Sequence, residues 1–280
     1  MTKRQRWCGG LLGLALCAGA QAQQGVNLTV GPTDYTTWTL AGSAHAANST
    51  PGNGFTYSVL TLTDVGTGDQ GGSGFAPTAL ALDFNQAFRF DFNFYIPVVA
   101  NPGLRGDGMT FTLSTQPGLG TAGSGLGYEG LNAASVALAI DTFHFSGDPV
   151  SPSVQLLSGG SVTPLAATET GLDDAIRDPD FQWFGALAYT PSGLGDQAGT
   201  LEGTISHLNL GSFSVQAQVD FQALGMSGSP IFYGFTAANG LATDGHVVSW
   251  GAPVPEPGSL LMMVAGLLVM AQGVARRRPA

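Results

Sequence analysis

The sequence predicts an all-β protein, an antiparallel β-sandwich. Three observations point there. Apolar residues recur at every second position in several segments, Gly, Pro and Asp clusters separate those segments, and the interior shows neither helical heptads nor a fixed-period repeat. Residues 23–253 give enough chain for one such sandwich, because all-β domains run to this size undivided.

The first element is not part of that fold. A basic start (Lys3, Arg4, Arg6) leads into an apolar run from Trp7 to Gly19 and closes on Ala20-Gln21-Ala22. This order predicts a secretory signal over residues 1–22. The run is too short to span a bilayer. A lipoprotein signal at Cys17 would want a small residue where Leu16 stands. Both cysteines, Cys8 and Cys17, fall in this segment, so residues 23–253 hold no disulfide, no thiolate nucleophile and no cysteine metal ligand.

Four segments carry the strand pattern. Phe88, Phe90, Phe92, Phe94 and Ile96 alternate with Arg89, Asp91, Asn93 and Tyr95. Met109, Phe111 and Leu113 alternate with Thr110, Thr112 and Ser114. Val136, Leu138 and Ile140 alternate with Ala137, Ala139 and Asp141, and Phe213, Val215, Ala217, Val219 and Phe221 with Ser214, Gln216, Gln218 and Asp220. Period two predicts strands with one buried face, and several such strands predict two packed sheets. The stretch Leu172–Asp178, "LDDAIRD", predicts a helical turn.

Charge narrows the partners. Residues 23–253 carry three basic side chains (Arg89, Arg105, Arg177) against 18 acidic ones, a net charge of −15. Such a surface repels nucleic acid and anionic lipid and suits a neutral ligand or cations.

The last element is a tail, residues 254–280. Pro255-Glu256-Pro257 stops any strand, since proline donates nothing to a ladder. Residues 258–275 are almost wholly apolar, long enough for a transmembrane helix, and Arg276, Arg277 and Arg278 would hold that end in the cytoplasm. The tail resembles the PEP-CTERM sorting signal of exported bacterial proteins. That resemblance implies a membrane sorting protease that recognises and removes it. A permanent single-pass anchor is the alternative. Either way the expectation is an exported protein, tethered at least transiently by the helix; after cleavage it resides at the cell surface or in the extracellular matrix.

Five stretches of the interior follow one another in a recognisable order: "DQGGSGFAP" (Asp69–Pro77), "GDGMTFTL" (Gly106–Leu113), "GSGLGYEG" (Gly123–Gly130), "SVALAIDTF" (Ser135–Phe143) and "YGFTAANGLATDGHVVSW" (Tyr233–Trp250). Together they resemble the legume-type (L-type) lectins, above all bacterial members. The resemblance implies a concanavalin-like (jelly-roll) sandwich and a shallow saccharide pocket built by loops at one edge. It assigns the key acceptor to Asp107, whose carboxylate would take bonds from two sugar hydroxyls. It places the glycine-rich loop Gly123–Gly127 against the sugar, with Gly125 first and Gly127 beside it. Tyr128 would offer an apolar face, and Leu241, in the Asn239–Thr243 loop, would form the far wall.

The same family holds its pocket with calcium and a transition metal. Here the glutamate position is Ala139, the calcium- and sugar-binding asparagine position is Phe145, and no histidine stands at Ser151–Val154. Asp141 and Asp148-Pro149 are kept. The resemblance therefore implies that the transition metal is lost and that calcium is at most weakly held, by Asp141, the Phe143 carbonyl and Asp148. Phe145 would stack on a sugar ring instead.

The expectation is an exported lectin-like protein that binds a polysaccharide or glycan, with a degenerate metal site. One alternative is a structural biofilm or matrix protein without sugar binding. The other is a glycoside hydrolase, which needs two carboxylates facing each other across the substrate. Asp141 has Ala139 and Phe143 at the strand spacing where a partner would stand, Glu129, Glu169 and Glu202 fall in apparent loops, and no G-x-S-x-G occurs. The sequence thus predicts a binding protein rather than an enzyme, and leaves the oligomeric state open.

Overall fold

A computed structural model describes residues 25–30, 34–49, 57–98, 105–145, 147–177 and 182–249. The signal segment (1–22) and the sorting tail (254–280) with its helix over 258–275 lie outside the described residues. Among the described residues no helix is long and apolar enough to cross a membrane.

Fifteen strands are described: β1 (Val26–Thr29), β2 (Thr39–Gly42), β3 (His45–Ser49), β4 (Tyr57–Thr63), β5 (Gln70–Phe75), β6 (Phe88–Tyr95), β7 (Gly108–Ser114), β8 (Ser135–Asp141), β9 (Ser153–Ser158), β10 (Ser161–Glu169), β11 (Trp183–Pro191), β12 (Ala198–His207), β13 (Gly211–Asp220), β14 (Phe232–Asn239) and β15 (His246–Ser249). They form two sheets. One runs β13-β12-β11-β6-β15-β4-β3, the other β10-β9-β8-β7-β14-β5-β2. All pairings are antiparallel except that of β1, which lies parallel to the first half of β6, Val26 opposite Phe88. β15 takes the second half of the same edge, Val248 opposite Phe94.

The phenylalanine stripe of β6 explains why the sheets stack. Phe88, Phe90, Phe92 and Phe94 are all buried, while Arg89 is exposed on the other face. Phe92 stacks on Phe111 of β7 with ring centroids 4.8 Å apart, and Phe111 meets Phe235 of β14 edge-on at 5.3 Å. Each ring removed from water stabilises the fold by about 1.5–3 kcal/mol. Gly185 of β11 leaves room for this stripe: a β-carbon there would overlap the Phe92 ring.

One expectation needs correction. β7 and β8 are buried at every position, on both faces, rather than on one. On β8 the reason is a second apolar cluster, where Leu126 and Tyr128 from the preceding loop cover Ala137, Ala139 and Leu157; on β7 the Thr110 hydroxyl lies 2.7 Å from that of Thr112 and 2.8 Å from that of Thr236, which donates to the Leu126 carbonyl of the same loop. The helical turn expected at 172–178 is present as a 3-10 turn, Asp173–Arg177. It is docked by Ile176, whose carbonyl accepts from Trp183 Nε1 at 2.9 Å.

Candidate functional site

The site is built where β7 begins. Gly108 pairs with Asp141, so the residues just before β7 lie beside the end of β8. There Thr142 clamps the chain twice: its N–H donates to the Asp107 carbonyl at 2.9 Å and its hydroxyl to the Gly106 carbonyl at 2.7 Å. On the other side Asp244 Oδ2 accepts from Gly106 N–H at 2.8 Å and from Arg177 Nε at 2.6 Å.

The loop after β14 is fixed to the 64–70 turn. Asn239 Oδ1 accepts from Gln70 N–H at 2.9 Å, and its amide donates to the carbonyls of Thr67 and Asp244, each at 3.0 Å. Asp69 N–H reaches the Gly240 carbonyl at 2.6 Å, and Gly66 N–H the Thr243 carbonyl at 2.8 Å. The glycine-rich loop is fixed to β14 by Thr236, whose hydroxyl donates to the Leu126 carbonyl at 2.8 Å.

These three segments meet at the Asp107 carboxylate. A β-carbon on Gly240 would lie 3.4 Å from Asp107 Oδ2, and one on Gly123 would lie 3.9 Å from it. Asp107 is 4% exposed, and Oδ2 has no hydrogen-bond partner among the described residues. Burial pushes its carboxyl above the ordinary aspartate range; the Gly240 N–H pulls it partway back, and the charge of Asp244 pushes it up again. Lacking β-carbons, Gly123 and Gly240 let backbone approach the carboxylate closely, and Oδ2 is itself closed off from solvent.

The other predicted positions divide. Leu241 stands at the tip of the last loop, 83% exposed. Phe145, 43% exposed in the loop after β8, packs edge-on against Phe143 with ring centroids 4.9 Å apart. Gly125 is displaced from its expected role: it turns toward Thr121 and Glu129, and Gly123, two residues earlier, takes the place beside Asp107. Gly127 serves the loop's own packing, with φ of +68° and a β-carbon position only 3.0 Å from the Ala237 carbonyl oxygen. Tyr128 offers no face to a ligand. It is fully buried, its hydroxyl lies 2.9 Å from Ser135 Oγ, and burial pushes that hydroxyl up to about 12.

The two carboxylates at the metal-ligand positions accept from protein donors. Asp141 Oδ1 accepts from Phe143 N–H at 3.0 Å and Ser151 Oγ at 3.0 Å, while Oδ2 accepts from Gln155 Nε2 at 2.8 Å. Asp148 Oδ2 accepts from Phe145 N–H at 3.3 Å, closing its own loop. Ala139 packs in the outer apolar cluster. Among the described residues no group of three or more His, Asp or Glu side chains converges on a point. Calcium asks for six to eight oxygens, and both oxygens of Asp141 and Oδ2 of Asp148 already accept from N–H and O–H donors. The residues present do not fit the paired ions of the family.

Sequence reasoning placed Gly123 and Gly240 in the loops of the site without singling them out, and missed Arg177, Asp244 and Gln155. Gly123 and Gly240 stood inside the quoted motifs. Arg177 had a signal of its own, as one of three basic residues in a strongly acidic interior.

Comparison with solved structures agrees with the architecture. The basic winged bean lectin with Tn-antigen superposes with a TM-score of 0.59 at 21% identity, over 76% of this chain and 90% of that one. The fold is that of the legume lectins. The Bauhinia forficata lectin in complex with GalNAc gives 0.58 at 18% identity, over 76% and 90% of the two chains. Arcelin-5, a lectin-like defense protein from Phaseolus vulgaris, gives 0.57 at 20% identity, over 78% and 92%. No family model and no curated protein matches the sequence.

Proposed function

We propose that this is an exported, lectin-like carbohydrate-binding protein that takes a neutral glycan where Asp107, Gly123 and Gly240 meet. One observation carries the reading: Asp107 Oδ2, buried and without a hydrogen-bond partner among the described residues, lies beside Gly123 and Gly240 of two separate loops. Sugar hydroxyls are the donors such a site suits, and charge-assisted bonds are the stronger kind. Leu241 and Phe145 present apolar surface in the last loop and the loop after β8. The net charge of residues 23–253, −15, favours an uncharged ligand. The GalNAc complex among the similar structures makes galactose-type glycans the first to test. No catalytic step is assigned, because Asp141 is tied to Gln155, Ser151 and Phe143 rather than facing a second acid. In this reading residues 1–22 direct export and a membrane protease removes the tail, so intact-mass measurement of the mature protein would find both missing.

The test is capture by a glycan array and by galactose- and GalNAc-agarose, comparing wild type with Asp107→Ala. Saturable retention lost in the variant supports the reading. Retention by no glycan, or equal retention by both proteins, overturns it. A second reading, a matrix protein that keeps the sandwich without sugar binding, draws on the 4% exposure of Asp107 and the burial of Tyr128. It predicts no saturable capture by either protein.

A further inference from the structure

The paired metals of the resembling family have no fitting ligand set here, yet a cation is built into the same corner. Arg177 is 6% exposed. Its Nε donates to Asp244 Oδ2 at 2.6 Å and its Nη2 to the Thr142 carbonyl at 3.4 Å. Nη1 lies 3.6 Å from Asp174 Oδ1. Asp244 and Thr142 are the residues that grip Gly106 and Asp107, through the Gly106 N–H, the Gly106 carbonyl and the Asp107 carbonyl. The guanidinium thus joins the end of β8 to the last loop behind the site. Its planar fork serves two acceptors on separate elements at once, which a lysine ammonium does less well.

The charge also suits the electrostatics. Asp107 and Asp244 are both buried, and the second raises the proton affinity of the first. Arg177 pairs directly with Asp244, so that one of the two buried carboxylates has a counter-charge. The neighbouring His246 does not supply the charge. Burial, with Arg177 adding to it, pushes its imidazole down to about 3, so it stays neutral, with Nδ1 2.7 Å from Thr63 Oγ1.

We propose that Arg177 is the positioning residue that does the work of the absent metals, fixing Gly106–Asp107 between β8 and the last loop so that capture at Asp107 needs no divalent cation. The second half of this statement rests on the glycan reading; the first half does not.

The experiment measures amide hydrogen exchange on the purified full-length protein, in EDTA and again with added calcium and manganese. Wild type is expected to show the same protection at Gly106 and Thr142 in both buffers. Arg177→Met should speed exchange at those amides by about tenfold or more, the loss of one charge-assisted bond, while β6 and β11 keep their protection. Arg177→Lys should recover part of the protection at Thr142 and Gly106. If Arg177→Met does not fold, Asp244→Asn carries the same comparison, since it removes the charge pairing and keeps an acceptor for Gly106. Metal-induced protection in wild type, unchanged exchange at Gly106 in both variants, or acceleration spread evenly over the sandwich would each overturn the proposal. Galactose-agarose capture in EDTA separates the two readings. Failed capture with the predicted exchange pattern removes the glycan reading and leaves the Arg177 clamp. Successful capture that needs added metal removes the proposal and leaves the glycan reading.

Discussion

Gln155 of β9 stands opposite Ala139 of β8, and its Nε2 reaches along the same face to Asp141 Oδ2 at 2.8 Å. Ala139 stands where the family resemblance would have put a glutamate, and the amide opposite it satisfies the carboxylate that would have met an ion. The pair explains how a strand carrying Asp141 can be buried over its whole length. Gln155→Leu keeps the volume and removes the donor. The expected loss is about 1.5–3 kcal/mol in urea unfolding, the range for a hydrogen bond to a charged group, with no rescue by calcium.

Asp141 also predicts a pH dependence. Burial pushes its carboxyl up to about 6, from an ordinary value of 3.8; the bonds from Phe143 and Ser151 oppose that shift and the charge of Asp148 adds to it. Between those two values the folded protein keeps a proton that the unfolded chain has released. Stability is therefore greatest below the lower value, falls as pH rises through about 6, and is flat above it. The swing attributable to this group is at most about 3 kcal/mol. Thermal melts from acid to neutral pH check it: Asp141→Asn should flatten that part of the profile, and a profile rising over the same window would contradict the assignment.

The sheet-to-sheet contact makes a plain prediction for stability. Phe92 is stacked on Phe111 and meets Phe235 edge-on at 5.3 Å. Phe92→Ala opens a cavity at the centre of both sheets and should cost about 3–5 kcal/mol. Filling the space Phe92 needs has the same sign: Gly185→Ala places a methyl on the ring and should cost about 1–3 kcal/mol.

The glycine-rich loop meets β14 at Leu126 and Gly127, and two substitutions should loosen it there. Gly127 has φ of +68°, so Gly127→Ala costs about 1–2 kcal/mol from the backbone alone, before its methyl meets the Ala237 carbonyl. Thr236→Val removes the donor to Leu126 and breaks the chain of hydroxyls through Thr110 and Thr112. Both variants should keep the sandwich, seen as unchanged far-ultraviolet dichroism, and lose glycan capture.

The legible part of the fold was the part with aromatic alternation. β6, β7, β8 and β13 follow from Phe, Met, Val and Leu at every second residue, because one face of each must meet the other sheet. β10, β11 and β12 were less legible. β10 and β12 are built largely of Ala, Gly, Ser and Thr, β11 sets Gly185, Ala186 and Ala188 among its larger residues, and positions such as Gly203, where a β-carbon would overlap Leu138, give no apolar signal although they lie in the core. The site divides the same way. Asp107 was readable from its turn motif, and the loops around it from their order. Choosing Gly123 over Gly125 needed the backbone path of the 3-10 turn Gly123–Gly125. Arg177 and Asp244 are 67 residues apart in sequence and meet only through folding.

The most direct test of the account is a titration of isotopically labelled protein with N-acetylgalactosamine and methyl galactoside, following backbone amide shifts. Saturable shifts confined to Asp107, Gly123 and Gly240, persisting in EDTA and abolished by Asp107→Ala, are the predicted result. Saturable shifts centred elsewhere and unchanged in the variant, or none with any glycan tried, would contradict it.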